Sequence, residues 1–267
     1  MYAHQVIEDL RQGMISHEIN HAYKACVMHC INSIMNAEKF NWGMIPKHTD
    51  NGIFMIHKGR VLFTENRWLY KIPFSSCWFD WEHESGDVSK QGALIQENDS
   101  TLTIFAFQFF KSIDRWVLSP SKYGLALING VPGIAMEKLI SEEDVGVDQG
   151  ILTKIEKMLL LLNCKNIQTE KIKAPEALNK KRRKQGKQPI FDYHVLNVVV
   201  PSAKRGYQGK TEPLSHNRVH LCRGHFKEYT EEHPLFGKYT GLYWWQPHVR
   251  GQNKDGIVMK DYNVTTK

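Results

Sequence analysis

The sequence predicts an α+β fold: a mostly antiparallel sheet with a long N-terminal helix and a central helix. Three observations carry this. Apolar residues at three- and four-residue spacing run from Ile19 to Met35, short β-rich runs follow one another from about residue 52 to 128, and a second helical stripe lies within 148–163. Few helical segments are left to serve as crossovers, so neighbouring strands are expected to pair antiparallel.

The first stripe comprises Ile19, Ala22, Tyr23, Cys26, Val27, Cys30, Ile31, Ile34 and Met35, one face of an amphipathic helix. Cys26 and Cys30 belong to that face while His29 points at least a quarter turn away. They are therefore expected to be small buried thiols rather than metal ligands. Next, residues 52–57 and 60–64 flank Lys58-Gly59 as a hairpin signal, the run 67–72 stops at Pro73, and Cys77–Trp81 follows. Trp78, Asp80, Trp81, Glu82, His83, Glu84 and Asp87 make an acidic–aromatic cluster, expected on an exposed edge or loop in preference to a carboxylate metal site. Further strands are expected at Thr101–Phe110, Arg115–Leu118 and Leu125–Ile128, with Pro120, Gly124, Gly130, Pro132 and Gly133 punctuating a loop region. Ser141-Glu-Glu-Asp144 resembles a capping box, and the helix after it carries Ile151, Ile155, Met158, Leu159 and Leu162 on one side.

A polar connector then spans 165–189 and contains Lys180, Lys181, Arg182, Arg183, Lys184 and Lys187, six cations in eight residues. Such a block repels itself and is expected to be an exposed arm or loop. Residues 190–200 form the best strand signal in the chain. A loop over 201–217 leads into Arg218–Tyr229, and Gly237–Val249 closes the fold. The expected organisation is an N-terminal α+β region (1–164), the basic connector (165–189) and a basic β-rich C-terminal module (190–267), with one continuous domain as the alternative.

The net charge of +7 hides an asymmetry. Residues 1–164 carry 15 Lys+Arg against 19 Asp+Glu, a net −4, whereas residues 165–267 carry 20 against 9, a net +11. A basic half joined to a slightly acidic one points to an anionic partner, nucleic acid first; a solvated basic face is the plainer alternative. Hydrophobic residues make up 42% of the 267, enough large side chains to exclude a fully disordered chain. The longest aliphatic stretch is Met158–Leu162, far short of the ~20 residues that cross a bilayer. Five cysteines with no CxxC pair argue against a disulfide scaffold, and no secretory signal is visible at the N-terminus. The expectation is a soluble cytoplasmic protein with reduced thiols.

The densest cluster of unusual residues reads His216-Asn217-Arg218-Val219-His220-Leu221-Cys222-Arg223-Gly224-His225-Phe226-Lys227-Glu228-Tyr229, followed by Tyr243-Trp244-Trp245-Gln246-Pro247-His248. Three readings stand side by side. His220 and His225 are an acid–base pair for RNA cleavage, with Arg218 or Arg223 stabilising the phosphorane. Alternatively the arginines contact phosphates while Phe226, Tyr229 or Trp245 stack on bases. In the third, these side chains only tie strands and loops together. Residues five apart in a regular strand face opposite sides, so the acid–base reading needs Gly224 to act as a bulge.

The run His220-Leu-Cys-Arg-Gly-His-Phe-Lys-Glu-Tyr229, with Trp245-Gln-Pro247 after it, resembles the C-terminal signature of a phage- and plasmid-borne family. That family includes the type V-A anti-CRISPR protein that suppresses production of the type V-A effector nuclease. Arg218, His220, Arg223, Gly224, His225 and Phe226 match its pattern, whereas Cys222 stands where the family has the first arginine of a pair. The Lys/Arg-rich connector and the strand Phe191-Asp-Tyr-His-Val195 are similar to phage relatives as well, and the likeness does not extend over 1–164. What the resemblance implies is a mobile-element protein in the bacterial cytoplasm that binds a host or target protein segment, such as a nascent peptide, and acts on the target's message.

The leading expectation is thus a non-enzymatic anti-defence or regulatory protein that binds a protein segment and its RNA. A metal-independent ribonuclease using His220 and His225 and a structural or partner-binding phage accessory protein are the alternatives. No nucleotide-binding loop, zinc-ligand spacing, Gly-x-Ser-x-Gly elbow or paired-carboxylate signature occurs, so kinase, zinc-hydrolase and lipase-type chemistry lack support. No cofactor, metal or membrane is expected among its partners.

Overall fold

The computed structural model describes residues 1–16, 21–45, 71–99, 101–128, 131–139, 149–199, 218–222, 225–245, 248–250 and 252–257. The expected hairpin at 52–64, the capping box at 141–144, the loop at 201–217, and Arg223, Gly224 and Pro247 lie outside these residues. The fold is α+β, with a large, mostly antiparallel mixed sheet.

Helices α1 (Ala3–Ser16) and α2 (His21–Asn36) lead into strand β1 (Glu38–Ile45). A meander follows: β2 (Ser76–Ser85), β3 (Val88–Asn98), β4 (Thr101–Phe110), β5 (Arg115–Ile128) and β6 (Val131–Lys138). Helix α3 (Gln149–Leu162), strand β7 (Ile167–Ile172), helix α4 (Glu176–Lys184) and strand β8 (Tyr193–Val198) come next. The eight strands form one sheet in the order β6-β5-β4-β3-β2-β1-β8-β7. Within this sheet, among the described residues, only β1 pairs in parallel, with β2 on one side and β8 on the other. The sheet therefore runs on from the N-terminal region through the connector to residue 198.

Alternation across the strands assigns two cores. Cys77, Phe79 and Trp81 of β2, Ala93 and Ile95 of β3, and Leu102 and Ile104 of β4 meet Ile151, Ile155, Met158 and Leu159 of α3. On the other face Trp78, Leu94, Phe105 and Phe107 meet Val6, Ile7 and Leu10 of α1 and Val27, Cys30, Ile31 and Ile34 of α2. With helices on both faces, each strand residue finds an apolar neighbour, which explains the near-continuous hydrophobic run of β4.

This layering corrects three expectations. The acidic–aromatic cluster is an exposed edge or loop only in part: Trp78, Asp80 and Trp81 are 0% exposed on β2, an inner strand between β1 and β3, whereas Asp87 is exposed in the turn after it. The expected loop region is largely strand. Phe105 opposite Lys122 and Phe107 opposite Leu118 bracket a bulge that accommodates Pro120, while Pro132 sits on the edge strand β6, where its missing N–H costs no ladder bond. Of the two thiols expected in the core, Cys30 is buried and Cys26 only half so. Among the described residues, no helix is long and apolar enough to cross a membrane.

The C-terminal strands β9 (Arg218–Cys222), β10 (His225–Tyr229), β11 (Gly241–Trp245), β12 (His248–Arg250) and β13 (Gln252–Ile257) make two small sheets, β10-β11 and β12-β9-β13. Leu242 and Trp244 pack with Leu160, Leu161 and Cys164 at the end of α3, which fastens this part to the large sheet.

Candidate nucleic-acid interface

Helix α4 carries the densest charge, and its sequence explains both ends. Pro175, with a fixed φ of −64°, stands at the N-cap, and Glu176 follows in the first turn, where a carboxylate favours the positive end of the helix dipole. Lys181, Arg182, Arg183 and Lys184 fill the last turn, the end that favours cations. Gly186, at φ +67°, then stops the helix: the Gly186 N–H donates to the Arg183 carbonyl and the Lys187 N–H to the Arg182 carbonyl. These are the two bonds of a Schellman motif, and its left-handed position favours glycine.

Two side chains bind α4 to the body. Asn179 is buried and pairs with the Ile190 main chain through both ends of its amide, at 2.9 and 2.8 Å. Arg182, one turn on, donates from Nε to the Gln188 carbonyl at 2.7 Å and from its guanidinium to Glu8 Oε1 of α1 at 2.9 Å. The same Glu8 oxygen accepts the Gln188 N–H at 2.8 Å, and Arg11 donates to the Gln188 side chain at 3.1 Å. The cationic run is therefore a docked helix, not the arm or loop expected of it. Its self-repulsion is offset by Glu8 and Glu176 and by the capped geometry.

The other cations divide by partner. Lys171 pairs with Glu38, Lys173 with Asp192 and Arg183 with Glu176. Arg183 and Lys180 hold the Glu176 carboxyl below its ordinary value, with the Arg183 hydrogen bond first. The Ala174 N–H and Lys173 do the same for Asp192. Lys180, Lys181, Lys184 and Lys187 are exposed and form no ion pair among the described residues. At 100° per residue, Lys180, Lys181 and Lys184 turn away from the Asn179–Arg182 side, so one face of α4 is anchored and the other presents bare ammonium groups.

The C-terminal motif residues are placed less closely together. His220 stands on β9 opposite Arg250, and His225 on β10 opposite Trp245, in separate sheets. Cys222 pairs with His248 and His225 with Trp245. Arg218 pairs with Gln252 of β13. Phe226 packs on Trp244, ring centroids 4.7 Å apart, within the cluster at the end of α3. Its ring is part of that packing rather than an open stacking platform. Tyr229 contacts Tyr243 edge-on, and the Lys227 ammonium lies 4.8 Å from the Tyr229 ring centroid. Trp245 is half-buried, with its Nε1 buried.

Glu8, Arg11 and Asn179, which aim α4, are absent from the residues the sequence singles out. Asn179 and Arg182 at three-residue spacing inside a cationic run were the available signal for an inward face, as was Gly186 for a helix stop. Among the described residues, no group of three or more His, Cys, Asp or Glu side chains converges on a point that could hold a metal ion. Comparison with protein-family models, curated proteins and solved structures yields no match.

Proposed function

We propose that the protein is a phage-encoded anti-defence or regulatory protein of the bacterial cytoplasm. It suppresses production of its target by binding a target protein segment and, through α4, RNA. The observation that carries the RNA part is the two-sided build of α4: Asn179 and Arg182 hold one face, Lys180, Lys181 and Lys184 stand exposed on the other, and Lys187 is exposed just past the helix end, none of the four in an ion pair among the described residues. Pre-positioned ammonium groups on a rigid helix neutralise phosphates without the ordering cost of a loose arm. The protein-binding part rests on the C-terminal resemblance, and the asymmetry between a slightly acidic and a strongly basic half supports a division of labour.

The test is binding of a single-stranded RNA oligonucleotide by the purified chain across a salt series. Each phosphate neutralised contributes about −0.7 to the slope of log affinity against log salt, so replacing all four lysines with glutamine should flatten the slope by about 3. A slope unchanged by the four substitutions overturns the assignment to α4. A pull-down from infected cells that identifies both bound protein and bound RNA tests the remainder. RNA cleavage at background level in EDTA, equal in wild type and His225→Ala, separates this reading from the ribonuclease.

A further inference from the structure

Among the described residues, β6 pairs only with residues 121–128 of β5, so residues 115–120 form an edge, against which α1 and α2 pack. The Trp116 N–H on this edge donates to Asp9 Oδ2 of α1 at 2.9 Å, and the Tyr23 O–H of α2 donates to the Leu118 carbonyl at 3.4 Å. Beside these bonds the two helices and β5 surround a pocket of about 260 Å³. Leu10, Met14, Val27, Trp116 and Leu118 line it, together with Ile113 of the β4–β5 turn. Asp87 holds that turn, accepting from the Ser112 N–H at 2.8 Å and the Ser112 O–H at 2.6 Å. The function proposed above uses none of these groups.

Three features of this pocket point to a ligand. Asp9 and Arg115 both line it with opposite charges, yet they form no ion pair with each other or with any other described residue. Asp9 Oδ1 and the Arg115 guanidinium are also without hydrogen bonds among the described residues, since the Trp116 N–H takes only Oδ2. Second, Gly13 of α1 lines the same pocket, and a Cβ there would meet nothing within 4 Å. Glycine weakens a helix relative to alanine, and no neighbour in the fold calls for it here; what its missing side chain keeps is open space. Third, the volume lies just under the roughly 300–1,000 Å³ of pockets for drug-sized ligands, and the walls are mainly apolar with a few polar groups, so a smaller amphipathic molecule fits.

We propose that this pocket binds a free α-amino acid with an apolar side chain. The ligand's ammonium pairs with Asp9 and its carboxylate with Arg115, both as charge-assisted hydrogen bonds. Its side chain lies against Leu10, Met14, Val27 and Leu118. An α-amino acid carries both charges on one carbon, which answers two opposed side chains that do not reach each other. A simple amine or acid would leave one of them unanswered. The site is independent of the RNA contacts assigned to α4.

The test is calorimetric titration of the full chain with leucine, methionine and phenylalanine. At least one should bind with a Kd below about 1 mM. For the tightest, the matching amine and acid, each lacking one charge, should bind at least about tenfold more weakly; for leucine these are isopentylamine and isocaproate. This series uses the wild-type protein alone, so loss of fold cannot imitate its result. Arg115→Gln should weaken binding at least about tenfold, as should Asp9→Asn, which keeps an acceptor for the Trp116 N–H. Gly13→Leu fills the space and should abolish binding, whereas Gly13→Ala should reduce it less. No binding of any of the three amino acids overturns the site, as does undiminished binding by Gly13→Leu. An acid or amine that binds as tightly as the amino acid overturns the paired-charge assignment. N-acetyl-leucinamide, an uncharged stand-in for a residue within a protein, overturns the free amino acid as occupant if it binds as tightly as leucine.

Discussion

Asn166 clasps the main chain of Trp244 with both ends of its amide. Its Nδ2 donates to the Trp244 carbonyl at 2.7 Å, and its Oδ1 accepts the Trp244 N–H at 2.9 Å, all in buried surroundings. One side chain thus does what a neighbouring strand would do, and it docks the β10-β11 pair on the end of α3. Asn166→Ala leaves a buried donor and a buried acceptor without these partners, at about 1–3 kcal/mol each. The urea midpoint should fall accordingly. Asn166→Asp sets a buried carboxylate oxygen against the Trp244 carbonyl and should be at least as destabilising as alanine at neutral pH; a wild-type midpoint in both variants refutes the clasp.

Glu8 permits a test that separates charge from geometry at α4. Its carboxylate accepts from both Arg182 and the Gln188 N–H, and its removal makes the protein one unit more positive. If charge alone governs RNA affinity, Glu8→Ala tightens binding. If affinity needs α4 held in place, the same substitution weakens binding several-fold. The second outcome is expected, read from titrations at one fixed salt concentration.

Which parts of this were legible follows from what each signal measures. The stripes of α2 and α3 are readable because apolar residues at three- and four-residue spacing leave no other buried solution. The strand β4 is readable from its β-branched and aromatic run. Helix α1 is not among the predicted elements, although Val6, Ile7 and Leu10 carry its contact, because the stripe is short and set among polar residues. Asp80 misleads because composition records a carboxylate but not strand order, and only the sheet makes β2 an inner strand. The same holds for the candidate site. Six cations make this segment conspicuous in the sequence, but the helix that presents them exists through Glu8, Gln188 and Ile190, contacts remote in sequence or made by main chain.

Gly92 is fixed by the ring opposite it. A Cβ there would lie 2.5 Å from Trp78 Cζ2 and 2.6 Å from Cη2. Trp78 is 0% exposed, bonds Asp80 through Nε1 at 2.8 Å and meets Phe107 edge-on, so it has no room to withdraw. Gly92→Ala should cost about 1–3 kcal/mol through overpacking. The double variant Gly92→Ala/Trp78→Phe, which removes the ring that clashes, should recover part of the Gly92→Ala loss when compared with Trp78→Phe alone. Strict additivity in thermal or urea unfolding sinks the explanation.

Asp80 gives a pH dependence of definite sign. Its carboxylate is 0% exposed, and Oδ2 accepts from the Tyr2 N–H at 2.6 Å and Trp78 Nε1 at 2.8 Å, with the Met1 ammonium 3.7 Å from Oδ1. Burial outweighs these partners and raises the carboxyl above its ordinary value. The folded state then holds this proton at a pH where the unfolded chain has released it. Its contribution to stability is full below the unfolded value of about 3.9 and is lost as pH climbs toward the folded value. Asp80→Asn keeps an acceptor for Trp78 but has no proton to lose. The stability of wild type minus that of Asp80→Asn should therefore fall steadily from about pH 3 upward, because the other carboxyls cancel in the difference. Urea unfolding of both proteins at unit pH steps measures it, and a difference that stays level or rises with pH means that Asp80 ionises as readily inside the fold as outside it.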